Sequence, residues 1–334
     1  MMQMNKMMFM MILMIGTFIT ISSYSWMGMW MGLEINLLSI IPLMNSSKTS
    51  TSSESSLKYF ITQALASTIL LYSIIMLMKS SMNYPLKNSM LMVLNTAMFT
   101  KMGAAPFHFW FPEIMEGLNW FNSLIVLTWQ KIAPMMIAMT NATTMNYTII
   151  IILTSMIIGG IMGLNQTSLR KILAYSSINH IGWMIAAYTL NFMIWIIYFL
   201  TYSLISMILI FLFNKIQVFN MNQLILHMKT NEMLKLSVNM NFLSFGGVPP
   251  FIGFFPKWTI LNSLMNSSAQ LLSIIMVILT LITLFYYTRI ILSSMMLIND
   301  QLNYSNKTKI KSFVFYLVNS ANLLGLVILI WIFN

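Results

Sequence analysis

The chain has 334 residues, of which 58% are hydrophobic and only 7% charged, with a mean hydropathy of +0.80, too apolar and too continuous a pattern for a water-soluble domain. It contains no cysteine, which excludes disulfides and the thiolate ligands of iron–sulfur clusters and structural zinc, so any electron-transfer centre must lie on another chain. The net charge of +11 would suggest nucleic acid in a soluble protein, but here lysines flanking apolar segments are ordinary topology signals and no nucleic-acid partner is expected.

Apolar runs of about 20 residues, enough to cross roughly 30 Å of hydrocarbon, recur from end to end and predict an all-α polytopic membrane protein. Eleven spans fit, near residues 6–23, 26–44, 57–79, 89–112, 120–140, 146–164, 170–189, 192–214, 236–261, 269–296 and 312–333. The first follows Lys6 and resembles a signal peptide; no A-x-A site follows it and the next segment is equally apolar, so it is read as a retained span. No Arg-rich presequence precedes it, so an organellar protein of this kind would be made inside the organelle. The polar connections, Asn45 to Ser56 with its Ser/Thr cluster, Lys215 to Lys235 and Asn299 to Lys311, are too short for more than a loop or a surface helix.

Alternate loops differ sharply in charge. The N-terminal side holds Lys6, Lys48, Lys58, Arg170, Lys171, Lys215, Lys229, Lys235, Lys307, Lys309 and Lys311; the other side holds Lys79 and Lys87. That asymmetry supports the span count and predicts an N-terminus on the cytoplasmic or matrix side.

Two spans repeat a motif. Gly103-Ala-Ala-Pro106-Phe107-His-Phe-Trp-Phe111-Pro112 in the fourth matches Gly247-Val-Pro-Pro250-Phe251-Ile-Gly-Phe-Phe255-Pro256 in the ninth as G-x-x-P-F-x-x-x-F-P. Proline removes a backbone donor and clashes with the carbonyl four residues back, so both spans are predicted to be broken, with freed backbone groups tolerated only against protein or a wet cavity. These are the fourth members of two successive five-span sets, and an odd set length inverts the second copy. The expected organisation is therefore an inverted repeat at 1–140, a second at 146–296, and a loop with a C-terminal span at 297–334, the pattern that points to a transport pathway.

Four ionisable side chains lie within the apolar stretches: Glu34, Lys101, Lys131 and Lys257. A charge at bilayer depth costs about 2.5–3.5 kcal/mol even on lenient scales, and such residues usually face the bundle interior and mark an ion or proton path. Removal from water favours the neutral amine of a lysine, which can then load and release a proton near neutral pH, whereas arginine stays charged. Lys101, just before the first break, is expected at the C-terminal end of a half-helix, where carbonyl dipoles favour a cation; Lys257, after Pro256, is expected at a half-helix N-terminus, which would disfavour one. Lys131 lies centrally in the fifth span, with Pro134 loosening the backbone nearby. Glu34 is the carboxylate at mid-membrane depth; near Lys101 it would hold that lysine protonated, and its withdrawal would release the proton. His180, in a run with Tyr175, Ser176, Ser177 and Asn179, and His108, inside the first break, are candidate relays, the alternative being hydrogen-bonded packing residues. His227 is placed in a loop and assigned no role, and Glu113 with Glu116 form a solvated or partner-facing pair. Gly159, Gly160 and Gly163 are read as a close-packing helix face rather than a dinucleotide site. No metal site is expected, because one buried carboxylate cannot build a cation cage.

Six segments carry a resemblance: residues 31–37 around Glu34, 101–113, Thr128-Trp-Gln-Lys131-Ile-Ala-Pro134, 164–171, Ala174-Tyr-Ser-Ser-Ile-Asn-His180-Ile-Gly-Trp183, and 246–258 ending Pro256-Lys257-Trp258. In this order they resemble the NADH-ubiquinone oxidoreductase chain 2 family, antiporter-like membrane subunits of mitochondrial respiratory complex I. The resemblance implies a proton-translocating subunit without a redox centre, with FMN, iron–sulfur clusters and ubiquinone on other subunits. It places Glu34 and Lys101 as the coupling pair, Lys131 as the central lysine of the first half-channel and Lys257 as the broken-helix lysine towards the exit. It also implies, as partners, the neighbouring antiporter-like chain 4, the small chain 4L and lipids such as cardiolipin, in the mitochondrial inner membrane with the N-terminus in the matrix and the C-terminus in the intermembrane space. A stand-alone cation/proton antiporter and a purely structural membrane scaffold are the competing readings; no quinone headgroup pocket is discernible.

Overall fold

The structure, a computed structural model, describes residues 2–45, 50–79, 84–141, 145–230, 232–267, 269–296 and 320. The described residues form helices α1 (Met2–Ser22), α2 (Trp26–Met44), α3 (Ser50–Met78), α4 (Tyr84–Met102), α5 (Trp110–Gly117), α6 (Trp120–Leu127), α7 (Trp129–Thr140), α8 (Met145–Gly163), α9 (Leu169–Leu190), α10 (Phe192–Ile216), α11 (Met221–Thr230), α12 (Glu232–Gly246), α13 (Phe254–Met265) and α14 (Gln270–Met296), with no strand among them. Two compact units, Met1–Ser155 and Met156–Asn334, meet in sequence within α8.

Seven stretches among the described residues are long and apolar enough to cross a membrane: α1, α2, α3, α6 with α7, α8, α10 and α14. The fourth and ninth expected spans are each divided, into α4 and α5 and into α12 and α13, and α9 is a full-length helix rich in Ser, Asn and His. The expected eleventh span, apart from Ser320, lies outside the described residues, as do Lys307, Lys309 and Lys311 in the loop before it and Lys48. The polarity of the surface is that of a membrane protein: Leu271, Ile274, Ile278, Leu281, Phe285 and Leu292 form an exposed stripe on α14, while Asn36, Gln63, Asn95, Ser155, Asn179 and Asn241 are buried.

In the first unit, α1 and α2 cross where Gly32 faces Gly16. A Cβ on Gly32 would lie 2.8 Å from the Thr20 nitrogen and 2.9 Å from the Gly16 carbonyl, so the backbones meet with no room for a side chain, and this contact fixes the turn that carries Glu34. Residues 50–56 of the Ser/Thr cluster, expected to precede the third span as a loop or surface helix, are the first two turns of α3 itself: Ser53, Ser55 and Ser56 bond the carbonyls three residues back, and Ser52, Ser55 and Ser56 are buried. Intrahelical hydroxyl bonds satisfy these side chains locally, and the Thr51 carbonyl packs against Gly117 of α5. His227 lies on α11 rather than in a loop. In the second unit, Gly159 packs on the α9 backbone at Tyr175 and Asn179, Gly160 on Ile282 and Gly163 on Tyr286 of α14, the close packing that their spacing predicts.

The repeated motif folds the same way twice. Gly103 and Gly247 have φ of +77° and +76°. Each closes its helix with paired bonds: Gly103 N–H to the Thr100 carbonyl and Ala104 N–H to Phe99, Gly247 N–H to Ser244 and Val248 N–H to Leu243. This is the Schellman arrangement, in which glycine takes the left-handed position that a Cβ penalises. The turn then continues alike, with Phe107 N–H to the Ala104 carbonyl and Phe251 N–H to Val248, before α5 and α13 begin at matching positions. A third interruption divides α6 from α7 at Thr128, upstream of Pro134; there the Thr128 hydroxyl bonds the Leu124 carbonyl, a back-bond that bends helices.

At Gly247 a Cβ would meet Lys257 Nζ at 2.9 Å and Cδ at 2.7 Å, whereas at Gly103 it would meet the Phe111 side chain at 3.2 Å. Both alanine variants carry the left-handed backbone cost of about 1–2 kcal/mol, and only Gly247→Ala also displaces a buried lysine. Gly247→Ala is therefore expected to lower the thermal stability of the assembled protein in membranes more than Gly103→Ala; equal losses would show that Lys257 moves aside freely.

Candidate functional site

A broken helix leaves carbonyls without partners, and in lipid each needs a donor from the protein. In the first unit neutral side chains supply them. Trp110 Nε1 donates to the Thr100 carbonyl at 3.1 Å, Gln63 Nε2 to the Lys101 carbonyl at 3.5 Å, and the Thr154 hydroxyl to the Ala105 carbonyl at 3.0 Å. In the second unit the donor is a candidate functional residue: Lys257 Nζ bonds the Phe245 carbonyl at 3.1 Å and the Gly246 carbonyl at 2.8 Å, both in the last turn of α12.

That geometry revises the expected contrast between the two lysines. Lys101 sits in the last turn of α4, among carbonyl ends that favour a cation, as expected. The Lys257 backbone starts α13, but its side chain crosses the break, so the ammonium feels the C-terminal carbonyls of α12 and not the unfavourable end of its own helix. The motif register explains the crossing: 144 positions separate the two copies, Lys257 answers to Glu113, and Phe245 answers to Lys101. One copy carries its lysine in the last turn of the first half-helix, and the other carries it on the second half-helix with the ammonium on the carbonyls that end the first.

All three lysines are buried, at 6% exposure for Lys101, 1% for Lys131 and 7% for Lys257. Glu34 is half-buried on α2 and its charge acts on Lys101, yet the two are not within 4.0 Å; the ion pairs given by the described residues are those of Lys58 with Glu54 and Glu113, in an exposed cluster at the ends of α3 and α5. The Glu34–Lys101 pair is thus electrostatically linked without being locked. Lys131 lies in the first turn of α7, with its Nζ 5.7 Å from the Phe111 ring centroid, so the motif of the first break also supplies the aromatic face under the second lysine.

A polar strand joins these elements that the charged residues alone do not reveal. Gln130, next to Lys131, donates to Asn36 Oδ1 on α2 at 2.8 Å and accepts from the Tyr59 hydroxyl on α3 at 3.3 Å, while Gln63, one turn further along α3, caps Lys101. Asn36, Tyr59 and Gln63 are almost fully buried. Their signal in the sequence is the presence of amides and a phenol inside apolar helices, weaker than that of a charge because amides also serve packing.

His108 is buried in the first break, where its hydrogen-bond partner among the described residues is the Pro106 carbonyl, at 3.3 Å from Nδ1; no hydrogen bond links it to a lysine. His180 is buried in the middle of α9, with Nδ1 2.8 Å from the Tyr198 hydroxyl on α10. Glu113 and Glu116 remain exposed. Among the described residues no three His, Asp or Glu side chains come together as a metal site would require.

The chain matches the family model described as NADH:quinone oxidoreductase/Mrp antiporter, transmembrane, over residues 23–283. It is 49% identical to the NADH-ubiquinone oxidoreductase chain 2 of Anopheles gambiae over 94% of this chain and 95% of that one, and 44% identical to that of Locusta migratoria over 92% and 91%. Its fold is that of a chain in the structure of respiratory complex I from Thermus thermophilus with bound aureothin, with a TM-score of 0.85, 23% identity, and coverage of 97% of this chain and 77% of that one. On the extent of the family match and the identity to these relatives, the chain belongs to the NADH-ubiquinone oxidoreductase chain 2 family.

Proposed function

We propose that this chain is a proton-translocating subunit of the membrane arm of respiratory complex I, in which electron transfer from NADH to ubiquinone on other subunits drives protons through Glu34, Lys101, Lys131 and Lys257. The observation that carries this reading is the placement of buried lysines at the two matched helix breaks: Lys101 in the last turn of α4, and Lys257 across the second break with its Nζ on the carbonyls that end α12. FMN, iron–sulfur clusters and the quinone site are assigned to partner subunits; for the clusters the support is that a chain without cysteine offers no thiolate to hold one.

The chemistry asked of Lys257 is compatible with its caps. An ammonium has three N–H donors and a neutral amine two, so Lys257 can bond the Phe245 and Gly246 carbonyls in both states and lose a proton without uncapping α12. Glu34 biases Lys101 through space; a change in their separation would alter its hold on the proton without breaking a contact ion pair. Quinone chemistry elsewhere in the complex is taken to drive such changes in sequence along the chain. His180 and His108 are candidate relays.

The two matched breaks are read as the fourth spans of inverted repeats at 1–140 and 146–296. The loop charge asymmetry supports an N-terminus on the matrix side, and the proposed setting is the mitochondrial inner membrane with the C-terminus in the intermembrane space. Chain 4, chain 4L and cardiolipin are the expected neighbours.

Lys101→Ala and Lys131→Ala in the assembled, reconstituted complex are expected to abolish coupled proton translocation. Full pumping with Lys101, Lys131 and Lys257 all neutralised would refute the reading, and ion exchange by the purified chain alone would favour a stand-alone antiporter.

Lys257 separates capping from carrying. Lys257→Met leaves two buried carbonyls unpaired, at about 1–3 kcal/mol each, and should lower both the melting temperature of the complex and pumping. Lys257→Arg keeps donors for the carbonyls but cannot release a proton, so it should retain more of the stability while losing pumping. Normal pumping by an assembled Lys257→Arg complex would remove Lys257 from the carriers.

A further inference from the structure

The second unit buries a cluster in which His180 and Lys257 share neighbours. The Phe245 ring lies 5.2 Å from the imidazole while the Phe245 carbonyl accepts from Lys257. The Trp183 ring lies 5.9 Å from Lys257 Nζ and stacks on Tyr198 at an interplanar angle of 9°. Tyr198, only 1% exposed, places its hydroxyl 2.8 Å from His180 Nδ1. Two further phenols surround the site, but their hydroxyls are engaged elsewhere: Tyr202, whose ring is 5.0 Å from the imidazole, pairs with Ser177, and Tyr287 with Ser176.

Nothing in the charged-residue pattern assigns Tyr198 a role. A proton crosses an imidazole by arriving at one ring nitrogen and leaving from the other, and here Nδ1 is committed to a hydroxyl held by ring stacking. We propose that Tyr198 is a relay hydroxyl, the group with which His180 exchanges its Nδ1 proton. In one direction the Tyr198 O–H bond breaks as the Nδ1–H bond forms, the phenol oxygen takes a replacement proton from a neighbouring hydroxyl or water, and the imidazolium gives up the proton on Nε2. Tyr198 ends unchanged and His180 ends as its other neutral tautomer, protonated on Nδ1; the reverse transfer through the same bonds, or a rotation of the ring, restores it. The Asn179 Oδ1 and Trp183 Nε1 atoms, on the same helix as His180, are buried without a protein hydrogen-bond partner among the described residues, so the turn around His180 holds further polar atoms that water could satisfy.

This inference rests on the chain being a proton pump, and the test keeps the two apart. In the assembled complex, Tyr198→Phe removes one oxygen and keeps the ring on Trp183. The rate of coupled proton translocation per assembled complex is expected to fall at least about tenfold, since a positioned proton-transfer group is worth roughly 10²–10⁴ in rate. Tyr202→Phe, whose hydroxyl is paired with Ser177, should stay within about twofold of the parent. His180→Ala should match the loss in Tyr198→Phe, and the double variant should lose no more, because both residues serve one step. Parent-level pumping by Tyr198→Phe, or losses that multiply in the double variant, would overturn the relay. If Tyr198→Phe does not assemble, parent-level pumping by His180→Ala overturns it equally. Lys131→Ala measured alongside distinguishes the failures: its loss with an unaffected Tyr198→Phe removes the relay alone, whereas undiminished pumping in Lys131→Ala removes the pump.

Discussion

The demand that every backbone carbonyl find a donor, in surroundings where water is scarce, shapes this protein more than any other constraint. The two proline-containing motifs cut helices inside apolar stretches, and each cut releases carbonyls that would otherwise cost several kcal/mol apiece. The first unit meets the demand with tryptophan, glutamine and threonine, and the second with a lysine. A lysine that doubles as a backbone cap is held in place by bonds that a neutral amine, with two N–H donors, could also make.

The same economy runs through the aromatic residues. Phe111 belongs to the first break and lies beneath Lys131 of another helix; Trp183 belongs to the helix of His180 and faces Lys257. Aromatic faces offer a cation a partial partner without fixing a proton, unlike a contact carboxylate. The one mid-membrane carboxylate, Glu34, keeps its distance from Lys101 and acts through its field. At an exposed end, by contrast, Lys58 bridges Glu54 and Glu113 in solvent, where such pairing contributes little.

Close helix crossings keep these groups in register. Gly16 with Gly32 and Gly159 with the α9 backbone let helices approach to main-chain contact, which is how helices associate where lipid offers no hydrophobic drive. Such contacts position Glu34 on one side and the Asn179–His180 turn on the other, so the electrostatic sites depend on packing that itself carries no charge.

Hydropathy alone was enough to establish a helical membrane protein, because apolar length is a one-dimensional property, and the duplicated G-x-x-P-F motif located both breaks, because proline and left-handed glycine act on their own backbone. The burial of Lys101, Lys131 and Lys257 was legible for the same reason: a charge in an apolar run has few places to go. The helical start of α3 was not, since serine hydroxyls choose between loop and helix according to what packs beside them, and neither was the kink at Thr128. The direction of Lys257 across its break, the Gln130–Asn36–Tyr59 strand, and the Tyr198 hydroxyl on His180 were decided only by tertiary structure. These are contacts between residues 11 to 94 positions apart, and no local pattern of polarity specifies which buried donor will meet which buried acceptor until the helices have packed.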